Sequence, residues 1–148
     1  MKRRQFINSA LATAALTAVP GLGIGKASGD LLRTGHIGTG RQGRKLLRLA
    51  AGLPGYQIRT LCDILPFQLD EAKGLVGPET TTVSDYRYML DDPDIDAVFI
   101  ATPFHMHAQP MLDALDAGKH VYCEKTLVMG HEQIGQVTEA VAQTDRII

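Results

Sequence analysis

From residue 31 onward the apolar positions follow two alternating rhythms: short, nearly unbroken runs, and stretches in which an apolar residue recurs every third or fourth place. The runs predict strands over 31–37, 56–62, 80–83, 95–101 and 119–123. The fourth of these, Ile-Asp-Ala-Val-Phe-Ile-Ala, is almost continuously apolar, as expected of a central parallel strand covered on both faces. The longer period predicts helices between the strands. One spans 41–51, with Leu46, Leu47, Ala50 and Leu53 on one side and Gly52 as its stop. A short one spans 67–73 and stops at Gly74, and a third spans 85–90 behind Ser84 as N-cap. A fourth spans 107–117, tolerates Pro110 in its first turn and stops at Gly118. Ile134, Val137 and Val141 give a last helix its apolar side, and Arg146-Ile147-Ile148 read as the start of a sixth strand.

Strands and helices that alternate through short Gly, Pro and Asp turns make βαβ units and a parallel sheet. The first unit carries His36-Ile37-Gly38-Thr39-Gly40-Arg41-Gln42-Gly43, a G-x-G-x-x-G spacing at a strand-to-helix junction. The first glycine permits a tight turn, the second lets a pyrophosphate approach the backbone, and the third lets helix and strand pack closely. Free N–H groups at the helix start then point at the phosphates. The economical fold is therefore α/β, a doubly wound parallel sheet of the Rossmann type with strand order 3-2-1-4-5. In that order Cys62 and Cys123 stand three strand spacings apart, roughly 14 Å, too far for a disulfide.

Composition leaves this picture intact and adds a leader. The 148 residues have room for one domain, and 45% hydrophobic with 21% charged residues is ordinary for a globular chain. The net charge of −1 hides an asymmetry: residues 1–27 hold four of the 15 bases and no acid, so 11 bases face all 16 acids in the remainder, a charge of −5. That balance, with no tryptophan and few aromatics, argues against a nucleic-acid partner. The basic start followed by an apolar run from Phe6 to Val19 reads as an export signal over 1–28, too short to span a bilayer, ahead of a cofactor domain over 29–148. Arg3-Arg4-Gln5-Phe6-Ile7 resembles the twin-arginine signal, and Gly25-Lys26-Ala27 offers small residues for cleavage; a general secretory signal or an uncleaved anchor is the alternative. The twin-arginine route exports folded proteins, which suits one that collects a cytoplasmic cofactor and then works in the periplasm or another extracytoplasmic space.

Asp63 ends the second strand 20 positions after Gly43, where an acid accepts hydrogen bonds from an adenosine ribose; a turn-forming Asp is the competing reading. A carboxylate there repels a 2′-phosphate and favours NAD over NADP. Arg41 either pairs with phosphate or stands solvated in the first turn. No His, Cys, Asp or Glu spacing reads as a metal site. His36 and His120 fall on strands, His131 begins a helix, and His105 is ambiguous.

Ala97–Ala108 (AVFIATPFHMHA), followed by Asp113–Val128 (DALDAGKHVYCEKTLV) and preceded by DYRYMLDDPDIDAV from Asp85, resembles the Gfo/Idh/MocA oxidoreductases, in which an I-A-T-P strand end and an E-K-P turn flank the nicotinamide. The resemblance implies a two-domain enzyme whose C-terminal sheet domain, carrying much of the substrate site, is missing here, so that the chain is a truncated or fragmentary form. It also implies that Gly38, Thr39, Gly40, Arg41, Gln42 and Gly43 hold pyrophosphate, Asp63 the ribose, and Ala101, Thr102 and Pro103 the nicotinamide half, with Glu124 and His107 beside the cofactor; for His107 a helix-start histidine satisfying backbone groups is the equal alternative. Lys125 matches the lysine of E-K-P, which stabilises developing alkoxide charge during hydride transfer; a surface lysine paired with Glu124 is the competing reading. The chain departs from the family at Thr126, usually proline, and at Phe104, often Asn or Asp. Implied overall is an NAD-dependent oxidoreductase acting on a sugar, polyol or related hydroxyl compound, with a homo-oligomer open to the full-length form. The alternatives are a glycosidase using the same bound NAD and a non-catalytic dinucleotide-binding remnant.

Overall fold

The computed structural model describes residues 31–148, so the leader expectation lies outside the described residues. Five parallel strands, β1 (Leu32–Ile37), β2 (Tyr56–Cys62), β3 (Thr81–Val83), β4 (Ala97–Ile100) and β5 (His120–Cys123), form one sheet in the order β3-β2-β1-β4-β5. That is the order expected, and β1 and β4, consecutive in space but not in sequence, mark the point where the winding reverses. The helices are α1 (Arg41–Ala50), α2 (Pro66–Val76), the single turn α3 (Arg87–Leu90), α4 (Ala108–Asp116) and α5 (His131–Ala142), with a short 3-10 turn at Phe104–Met106.

Side-chain alternation along each strand separates two cores. On one face Ile37, Cys62, Val98, Ile100 and Val121 pack with Met89 and Leu90 of α3, Met111, Ala114 and Leu115 of α4, and Val137 of α5. On the other, Leu61 of β2 packs with Leu47 of α1 and Ala72 of α2. Along that second face, where β1, β4 and β5 run in register, His36 stacks on Phe99 at 4.8 Å between ring centroids and Phe99 on Tyr122 at 5.0 Å. His36 is 2% exposed, and burial pushes its imidazole down to about 3, so it is neutral; its Nε2 lies 2.9 Å from the Tyr56 hydroxyl. It is a structural histidine, as its place on a strand suggested.

Several local expectations need correction. Helix α2 runs past Gly74 to Val76, because Pro66 fits its first turn and Gly77, at φ +104°, is what ends it. Ser84 does not cap α3: Tyr86 is the N-cap residue, and the Asp85 carboxylate accepts the Arg87 N–H at 3.0 Å. The predicted 107–117 helix is present as α4, and the 3-10 turn ahead of it was not expected. Of the apolar side of α5 only Val137 is buried, while Ile134 is 49% exposed; on α1, Leu53 lies beyond the helix and is exposed. The last residues carry no strand, yet Val121 N–H donates to the Ile147 carbonyl at 2.9 Å, so the chain does run beside the free edge of β5. Both cysteines are free thiols.

At the carboxyl edge the ladder continues one residue past each strand. Gly38 N–H donates to Cys62 O, Asp63 N–H to Val83 O, Ala101 N–H to Ile37 O and Glu124 N–H to Ile100 O, at 2.8–3.3 Å. Four connecting loops therefore leave the sheet from fixed, adjacent starting points, and the site is built on them.

Candidate cofactor site

The glycine loop owes its path to two close approaches. Gly38 has φ +88°, and a Cβ there would lie 2.7 Å from Thr102 N and 2.9 Å from Ala101 O, so only glycine allows the β1 and β4 turns to touch. A Cβ on Gly43 would lie 2.0 Å from Gly38 O, which is the close helix-to-strand contact expected of a third glycine. Gly40 differs: it has ordinary φ −61°, and nothing lies within 4 Å of the Cβ it lacks. It is the N-cap of α1 and supplies no side-chain cap, so the first N–H groups of α1 are left for a ligand.

These loops border a cavity of about 500 Å³ whose walls include Gly38, Gly40, Asp63, Ala101, Thr102 and Pro103. Six of the residues expected at a cofactor are thus brought together. The others are placed differently. Thr39 is fully buried, with its N–H and hydroxyl donating to Asp63 Oδ2 at 2.7 and 3.1 Å; it fixes that carboxylate instead of presenting itself to the cavity. Asp63 combines both of its expected readings, since its other oxygen accepts the Leu65 N–H at 3.0 Å as a turn-forming Asp does, while the carboxylate still borders the cavity. Gly43 is a packing residue, and Arg41 is exposed. Gln42 Nε2 donates to Glu124 Oε1 at 2.8 Å, tying α1 to the end of β5 outside the cavity wall.

His107 follows the second of its two readings, satisfying backbone groups. It does not face the cavity: it is 1% exposed, and its Nδ1 and Nε2 lie 2.8 Å from Thr126 O and 2.9 Å from Thr102 O. Lys125 is exposed just past β5, at the same sheet edge, and among the described residues its ammonium has no hydrogen bond or ion pair, Glu124 being engaged by Gln42. The Lys125–Thr126 peptide is cis.

Sequence reasoning missed the far end of the cavity, where Ile64, Leu65, Gln68 and Ser84–Arg87 complete the wall. Their only signal was position, just past the ends of β2 and β3. Arg87 is held by Asp85 at 3.0 Å and lies over the Tyr86 ring at 5.3 Å, and the Tyr86 hydroxyl donates to Asp113 at 2.5 Å. Burial and that carboxylate push Tyr86 up to about 12. Burial, aided by the Asp63 and Asp85 charges, pushes the Cys62 thiol up to about 12, so it is a neutral wall and not a nucleophile. Arg44 was missed too: from inside α1 it donates to the Thr39 carbonyl at 2.9 Å and pairs with Glu71 at 3.1 Å, buttressing the glycine loop against α2.

A dinucleotide fits what these residues leave open. There is space over Gly40, a helix start without a cap, a carboxylate at the end of β2, and a buried Thr102 Oγ1 with no hydrogen-bond partner beside the glycine loop. Fold and site together define a dinucleotide-binding domain with its ligand edge at the reversal of the sheet.

Comparison with known proteins narrows the class. The model of the Gfo/Idh/MocA oxidoreductase family, NAD-binding Rossmann fold, matches residues 32–148, and the chain belongs to that family as its NAD-binding domain. The uncharacterised oxidoreductase YrbE of Bacillus subtilis is 36% identical over 108 residues, covering 73% of this chain and 31% of its own. A glycosyl hydrolase family 109 protein of Shewanella woodyi is 33% identical over 123 residues, 78% of this chain and 26% of its own. Among solved structures, scyllo-inositol dehydrogenase from Lactobacillus casei with bound NAD(H) and scyllo-inositol superimposes with a TM-score of 0.71 at 33% identity, covering 77% of this chain and 34% of that one. The chain thus spans between about a quarter and a third of the length of these relatives.

Proposed function

We propose that the full-length protein transfers hydride between NAD and a hydroxyl-bearing carbon of a sugar, polyol or related compound. The observation that carries this is the placement of Lys125: it is exposed and unpaired among the described residues, at the strand end next to the Ala101–Pro103 turn on the ligand edge of the sheet. Bound NAD supplies the hydride acceptor or donor. The glycine loop and the α1 start hold its phosphates, the Asp63 carboxylate takes the ribose hydroxyls and disfavours a 2′-phosphate, and Thr102 offers a buried hydroxyl. Lys125 Nζ hydrogen-bonds the reacting oxygen and stabilises its negative charge, or exchanges a proton with it. Small polyols are the substrate class favoured by the likeness to an inositol dehydrogenase.

A second reading is a glycosidase that uses NAD without net turnover, supported by relatives described as glycosyl hydrolase family 109 proteins. Export by the twin-arginine route completes the proposal, supported by Arg3-Arg4-Gln5-Phe6-Ile7; it implies NAD that stays bound and is reduced and reoxidised in place. The test is to express the complete reading frame, assay copurifying nicotinamide, and offer polyols and nitrophenyl glycosides in parallel. Polyol-dependent NADH formation supports the dehydrogenase, and glycoside hydrolysis without net NADH selects the second reading. Bound NAD with neither reaction over a broad substrate panel speaks for a non-catalytic binding protein and against both.

A further inference from the structure

We propose that His107 is a positioning residue: a clamp that joins the turn after β4 to the turn after β5 through the carbonyls of Thr102 and Thr126, and so sets how the nicotinamide end of the site faces Lys125. The proposal rests on the cofactor and Lys125 roles given above.

Three observations carry it. The last ladder bond between these two strands is Glu124 N–H to Ile100 O at 2.9 Å; among the described residues, no hydrogen bond other than those of His107 links 101–106 to 125–130. His107 bridges that gap with ring contacts of 2.9 Å to Thr102 O and 2.8 Å to Thr126 O. Second, the ring is 1% exposed and, although His107 is the N-cap residue of α4, it makes no side-chain cap, so neither solvent nor its own helix competes for it. Third, each anchored carbonyl lies within a residue of a group that acts. Thr102 lines the cavity and carries the unpartnered Oγ1; Thr126 follows Lys125 directly.

The imidazole lies between the two carbonyls, within hydrogen-bond distance of each. The ring then acts as a spacer of fixed width between two otherwise independent loops. Glutamine or asparagine, with donors on one atom only, cannot span both carbonyls, and phenylalanine fills the volume with no donor at all. A histidine that only filled the core would be replaced by phenylalanine with a loss of stability and no selective effect at one end of the cofactor.

The experiment uses His107→Phe and His107→Gln in the full-length protein, with thermal melts and titration of two ligands. ADP-ribose carries the adenosine and pyrophosphate without nicotinamide; NADH carries both ends. The clamp predicts NADH binding weakened about tenfold with ADP-ribose binding changed less than about twofold, the loss expected from one displaced hydrogen-bonded contact. Equal losses for both ligands, or none for either, overturn it. Wild-type protein that bound neither ligand would remove the cofactor reading beneath the proposal, a separate and recognisable failure that takes the proposal with it. Where the variants do not fold, nitrogen-15 spectra of the wild-type protein decide. The ring nitrogens of His107 are expected to show hydrogen-bond couplings to the carbonyl carbons of Thr102 or Thr126 in carbon-13-labelled protein, and couplings to neither refute the clamp.

Discussion

Alanine at Gly40 and alanine at Gly38 have opposite expected effects, although both change the same loop. At Gly38 the added methyl meets Thr102 N at 2.7 Å and Ala101 C at 2.8 Å, backbone atoms that have no rotamer to escape into, and φ is +88°. The left-handed backbone costs about 1–2 kcal/mol and the collision about 1–3 more, so Gly38→Ala is expected to lose roughly 2–5 kcal/mol of stability. Gly40 has φ −61° and ψ −167°, which alanine adopts freely, and open space around the missing Cβ. Lower unfolded-state entropy favours alanine there while its poor N-cap preference opposes it, so the net change stays within about 1 kcal/mol. The same methyl stands where a pyrophosphate reaches the backbone, and a loss of at least about tenfold in NAD affinity, about 1.4 kcal/mol, is expected. Urea unfolding without ligand measures the first quantity and calorimetric NAD titration the second. Gly40→Ala protein that binds NAD as tightly as wild type would refute the pyrophosphate path over Gly40. A Gly38→Ala protein as stable as wild type would refute the contact between the β1 and β4 turns.

Acid should act through His36: its folded value of about 3 lies below the ordinary 6.5, so between those limits only the unfolded chain takes up the proton, and stability falls by up to about 1.4 kcal/mol for each pH unit lost. Denaturant midpoints of wild type and His36→Gln measured from pH 7 to 4 check this, since the slope should flatten in the variant; identical slopes would show that His36 is not buried neutral. Asp63→Asn weakens a charge-assisted pair of bonds to Thr39 and is expected to lower stability by about 1 kcal/mol while narrowing the preference for NAD over NADP at least about tenfold, read by parallel titrations with the two cofactors. For the proposed hydride transfer by the full-length protein, Lys125→Met should lower kcat about a hundredfold with NAD affinity changed less than about twofold; a large fall in NAD affinity would assign Lys125 to cofactor holding and not to the reacting oxygen.

Sheet order and the ligand edge were legible because they rest on local patterns. Apolar runs of strand length, Gly stops and a G-x-G-x-x-G at the first crossover leave one economical winding, and right-handed crossovers then fix which strand ends share an edge. Gly38, Gly40, Asp63 and the Ala101–Pro103 turn follow from that edge. What failed was everything decided by which atoms meet across long sequence separations. Thr39 lies inside the glycine motif, yet only packing shows that its donors are taken by Asp63 from 24 residues away. His107 reads in sequence equally as a ligand contact or as a helix-start residue satisfying backbone groups, and only the folded chain decides by setting its nitrogens against carbonyls 5 and 19 residues off. Nothing in the sequence singles out Arg44, whose partner Glu71 is brought to it only by α2. The short-range code of periodicity and turn chemistry therefore determined the framework and the place of the site. The tertiary structure alone decided which polar groups there remain free for a ligand, because every buried donor must find an acceptor and the choice among neighbours exists only after the loops have come together.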